Sequence, residues 1–117
     1  MQYHLEINLP ADFSIRDKEK AIFELLEANQ ETLAFMLQGY HTKEKVRHVL
    51  LRADSLKFEG AGKGSVTAVY QLEEYNVCSA IDRTDMETMI LSFIIDELRN
   101  TLKVSGVFIP EREPDSF

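Results

Sequence analysis

The chain has 117 residues, of which 44% are hydrophobic and 28% charged, with a formal net charge of -7. That length makes one domain able to bury a core without staples, and the composition excludes a disordered chain. The acidic balance, with no run of Lys or Arg, excludes nonspecific binding to phosphate backbones while permitting a basic partner.

A single cysteine, Cys78, excludes an internal disulfide and fits a reducing compartment. The first residues, Met1-Gln2-Tyr3-His4-Leu5-Glu6, lack the basic start and apolar run of a signal peptide. The densest apolar stretch, residues 89–95, is too short to span a bilayer. The expectation is a cytoplasmic protein with no membrane partner.

Tyr3, Leu5, Ile7 and Leu9 alternate with Gln2, His4, Glu6 and Asn8, which predicts a half-buried strand ended by Pro10. Ser14 followed by Asp17 reads as a helix N-cap with an early acid. Ile22, Leu26, Leu33, Met36 and Tyr40 then recur at helical spacing, widened by Leu25 and Leu37. Asn29-Gln30 is where this helix bends or splits, and Gly39 is where it stops.

Residues 46–81 predict a long β-hairpin about the glycine-rich 60–64 stretch. With the turn centred on Gly62, Phe58 faces Val66, Leu56 faces Ala68, Asp54 faces Tyr70, Val49 faces Tyr75 and Arg47 faces Val77. Near the turn the even positions are apolar: Leu56, Phe58, Val66, Ala68, Tyr70 and Leu72. Farther away the odd positions take over, with Val49, Leu51, Tyr75, Val77 and Ile81. Either bulges or coiling rotate the tip onto its own core, or the tip offers its apolar face to another chain.

Thr84-Asp85-Met86-Glu87 reads as a capping box opening a second helix. That helix directs Met86, Met89, Ile90, Phe93, Ile94 and Leu98 to a core and fades near Lys103. Residues 104–109 predict a short last strand stopped by Pro110, and the patternless residues 111–117 a mobile tail. The domain is therefore 1–110. The order specifies an α+β two-layer sandwich, a ferredoxin-like βαββαβ arrangement with a long hairpin between its second and third strands. The alternative is a three-stranded βαββα layer without the last strand.

Function is less legible. Polar alternation sends His4 and Glu6 to the open sheet face, along with His48, Glu74, Asn76 and Cys78. In a ferredoxin-like order the first and third strands are neighbours, so His4, Glu6, His48 and Glu74 form a weak candidate metal or acid/base patch. No ligand spacing of a known metal motif accompanies them, and a solvated sheet face explains the same pattern. Gly60-x-Gly62-Lys63-Gly64 is a hairpin turn, since a phosphate loop would open a helix. No cofactor is implied.

The leading expectation is a non-enzymatic interaction module, homodimeric through Leu56, Phe58, Val66, Ala68 and Tyr70. Two alternatives stand beside it: a small metal-dependent or acid/base enzyme, and an acidic inhibitor of a basic toxin or nuclease.

Overall fold

The computed structural model describes residues 2–11, 18–60, 62–76 and 81–109. Strand β1 (His4–Asn8) is followed by helices α1 (Lys18–Ala28) and α2 (Gln30–Gln38). Strand β2 (Lys45–Leu51), a 3-10 turn (Ala53–Ser55) and strand β3 (Lys57–Gly60) come next. Two long strands, β4 (Lys63–Asn76) and β5 (Ile81–Asp96), and a short β6 (Thr101–Ser105) complete the elements of the described residues. The sheet order is β1-β6-β5-β4-β2, with β3 also on β4, and every pairing is antiparallel.

The strands form a curled half-barrel, and both helices lie on its inner face. The helical spacing of Ile22, Leu26, Leu33, Met36 and Leu37 puts all five in the core. The break at Asn29 falls where the sequence places it. Its side-chain amide donates to the Leu25 carbonyl at 2.8 Å while its own carbonyl accepts from the Leu33 N–H at 3.0 Å. Neither helix is long and apolar enough to cross a membrane. The expected N-cap at Ser14 and the tail 111–117 lie outside the described residues.

The ferredoxin-like expectation is overturned, and so is its three-stranded alternative, because both require a second helix after the hairpin. Residues 81–96 are strand β5, paired with β4 from Lys63↔Ile94 to Asn76↔Ile81. The run Met86-Glu87-Thr88-Met89-Ile90-Leu91-Ser92-Phe93-Ile94-Ile95 fits a period of two as well as 3.6. Tertiary pairing with β4 decides between them. Met89, Leu91 and Phe93 point inward, at 8%, 0% and 1% exposure. Met86, Ile90, Ile94 and Leu98, the expected helix-core residues, are instead exposed. The supposed capping box is ordinary ladder, with Glu87 opposite Tyr70. The last strand is also displaced, from 104–109 to Thr101–Ser105.

The hairpin register differs as well. Phe58 faces Gly64 rather than Val66, and Ala68 faces Leu51 rather than Leu56. A turn does sit at Gly62, whose φ of +79° belongs to the left-handed region that glycine tolerates. The first arm, however, is broken twice. At His48, φ is +53° and the ladder slips between Arg47 and Leu50. The 3-10 turn then separates β2 from β3. Each break reverses which parity faces inward: Val46, then Val49 and Leu51, then Leu56 and Phe58. Strand β4 keeps its even residues inside from Val66 to Leu72. In the first arm, the change of face read from sequence is thus a bulge and a turn. Val77 lies outside the described residues.

Candidate functional site

The five expected interface residues fall in the chain's own core. Val66, Ala68 and Tyr70 are at most 1% exposed, while Leu56 and Phe58 pack half-buried against the same cluster. Phe58 meets Phe93 edge-on, with ring centroids 5.4 Å apart. Val66, Ala68 and Tyr70 thus offer no surface to a second chain, while Leu56 and Phe58 keep part of theirs.

The expected His/Glu patch is dispersed. Strands β1 and β2 are opposite edges of the sheet, so His4 and Glu6 are separated from His48 by β6, β5 and β4. The neighbour of β1 is β6, because the chain returns to its start only at its last strand. His4 Nδ1 sits 2.6 Å from Ser105 Oγ, and Glu6 faces Arg99 at 3.5 Å. His48 lies in the β2 bulge beside Glu31 and Ala34, and Glu74 is exposed on β4. Cys78 lies outside the described residues. Among the described residues no three His, Cys, Asp or Glu side chains are grouped to hold a metal ion.

The structure instead assembles a polar unit that sequence reasoning passed over. His41 Nε2 lies 2.8 Å from Tyr70 Oη, and His41 Nδ1 lies 3.6 Å from Glu44. Gln38, the last residue of α2, holds the loop carrying His41. Its amide nitrogen donates to the carbonyls of His41 (2.7 Å) and Glu44 (2.8 Å), and its oxygen accepts from the Val46 N–H (2.9 Å). Burial pushes the Tyr70 hydroxyl up to about 12, with Glu87 and then Tyr40 adding to it. The signal available beforehand was Tyr70 itself: a tyrosine on a buried parity needs a partner for its hydroxyl. Since Tyr70 is fully buried, this unit fastens the loop to the sheet.

Two surfaces remain open. The first is the outer face of the sheet, which no element among the described residues covers. Leu50 (61% exposed), Met86 and Ile90 (62% each) and Ile94 (44%) all stand on it. They share this face without touching in register: Thr88 and Ser92 separate Met86, Ile90 and Ile94 along β5, Thr67 lies beside Ile90, and Leu50 reaches β5 only across Val69. Lys63 and Lys103 flank Ile94.

The second is an apolar groove of about 360 Å³ between β1 and α2, lined by Tyr3, Leu5, Phe35 and Met36 with Thr32 and Gly39. Phe35 is 83% exposed there. No family model, curated protein or solved structure matches the chain.

Proposed function

We propose that this chain is a non-enzymatic interaction module that binds a partner protein on the outer face of its sheet. The observation that carries the reading is that Leu50, Met86, Ile90 and Ile94, four large apolar side chains, stand exposed on one sheet face that no part of the described chain covers. Several large apolar side chains on one uncovered sheet face are what a protein contact uses. The lysines beside Ile94 set the chemistry of the partner, an apolar surface with carboxylates at its rim.

The test is affinity capture with the whole chain and with Ile90→Asp side by side. Ile90 is exposed, so the two proteins should melt alike. A partner retained by the native chain and lost with Ile90→Asp supports the reading. Identical retention on both proteins overturns it.

A further inference from the structure

The β1 edge supplies a second, independent contact surface. In an antiparallel ladder, directly opposed residues alternate between pairs that exchange both backbone hydrogen bonds and pairs that exchange none. The Gly106 N–H donates to the Tyr3 carbonyl and the Leu9 N–H to the Asn100 carbonyl, each at 3.0 Å. Both lie on odd-numbered rungs of the β1–β6 register. The backbone groups of Leu5 and Ile7 are therefore directed at β6. Those of His4, Glu6 and Asn8 point out of the sheet. Such an edge is a template for another strand. The β2 edge is blunted by its bulge at His48 and by Lys45 and Arg47. Among the described residues no comparable device protects β1.

The side chains around this edge select its occupant. We infer that a second copy of this chain pairs its β1 antiparallel to β1, across a two-fold axis at Leu5, extending the sheet through both molecules. With Leu5 opposite Leu5 of the second copy, His4 stands opposite Glu6 of that copy, and Glu6 opposite its His4. Both are pairs whose outward backbone groups exchange two hydrogen bonds. On the inner side Tyr3 meets Ile7 of the second copy, and the exposed Phe35 and the groove beside it gain apolar neighbours.

The neighbouring registers are worse. An axis at Glu6 sets two glutamates directly opposite each other, which is destabilising. An axis at Ile7 sets His4 against Pro10, which has no N–H to give. The self-complementarity of His4 and Glu6 about Leu5 is what favours a second copy over a foreign strand. This contact is separate from the outer face and stands without it.

The test is solution mass by light scattering on the full chain over a concentration series. The native chain should be a dimer. Glu6→Lys and His4→Glu, both at exposed positions, should each weaken it by about tenfold or more: His4→Glu sets two carboxylates opposite each other in both symmetry-related pairs, and Glu6→Lys removes the carboxylate that faces each imidazole. The double exchange His4→Glu with Glu6→His restores the imidazole–carboxylate pair and should restore the dimer. A strictly monomeric native chain overturns the inference. So does a dimer indifferent to both single variants, or a double exchange that fails to recover. A dimer abolished by Ile90→Asp would place self-association on the outer face and likewise overturn it. Loss of partner capture with Ile90→Asp while the dimer persists leaves both readings standing.

Discussion

His41 Nε2 lies 2.8 Å from the hydroxyl of Tyr70, joining the loop after α2 to the middle of the sheet. Glu44 beside Nδ1 favours the tautomer with its proton there, so Nε2 accepts from the tyrosine. The hydroxyl is held up to about 12, first by burial. An unfolded chain releases that proton near pH 10. Between about pH 10 and 12 the unfolded state therefore binds fewer protons than the folded one, and stability falls as pH rises. The Tyr70 contribution is complete below about pH 10 and should shrink by about 1.4 kcal/mol per pH unit above it. Urea unfolding of the native chain and Tyr70→Phe across this range checks the sign. The advantage of the native chain over the variant should narrow with rising pH. A constant gap would show that Tyr70 loses its proton at the same pH in both states.

Gln38 makes three hydrogen bonds to the backbone of the loop and the start of β2. Gln38→Ala leaves two carbonyls and one N–H to find water. The expected cost is about 1–3 kcal/mol in chemical denaturation. Amide exchange at Val46 should accelerate in step. Unchanged Val46 protection would mean that the side chain does not hold this loop.

The strand nature of β5 is open to a two-residue comparison. Leu91 is fully buried, and Leu91→Ala should cost about 2–5 kcal/mol. Leu98 is 100% exposed, and Leu98→Asp should stay within about 0.5 kcal/mol. A helix over the same residues, with Leu98 inward, predicts the opposite ranking. Thermal melts of the two variants decide between them.

Phe58→Asp tests the hairpin. A residue at an interface would dissociate a dimer and leave the fold intact. Phe58 instead packs half-buried on Phe93, so the substitution should lower stability by about 2 kcal/mol, less than the ~3–5 kcal/mol of a fully buried Phe. Its melting temperature should drop, with the concentration dependence of its mass unchanged.

What sequence reveals here depends on whether a pattern has one structural solution. The β1 alternation has one, and so does the stripe from Ile22 to Leu37, whose break at Asn29 was also readable. Residues 84–96 had two solutions. Residues 84–87 read locally as a cap, and only their pairing with the preceding strand β4 shows them to be ladder. That single misassignment removed a strand from the sheet and created a false neighbour for β1. It thereby brought His4 and Glu6 together with Glu74, when β6 and β5 in fact stand between their strands. The parity change in the hairpin is legible in the sequence, and in the first arm it falls between Arg47 and Ser55. Its cause was hidden, because a left-handed His48 leaves no mark in composition. The outer apolar residues are hidden in the sequence for the same reason as β5: at helical spacing Met86, Ile90 and Ile94 fall on a core-facing stripe, and only the strand period turns them outward.

The placement of β1 beside β6 also sets an order of events in time. His4 and Ser105 are 101 positions apart, whereas β3–β4, β4–β5 and β5–β6 close through short connections. Local closures are fast, and long ones must meet a larger entropic cost before any contact rewards them. The three hairpins should thus form early, with β1 docking last. Until then Leu5, Ile7 and Leu9 stay in water, and a crowded refolding mixture offers them neighbours other than β6. Recovery on dilution from denaturant should therefore depend steeply on protein concentration, with β1 as the segment that goes astray.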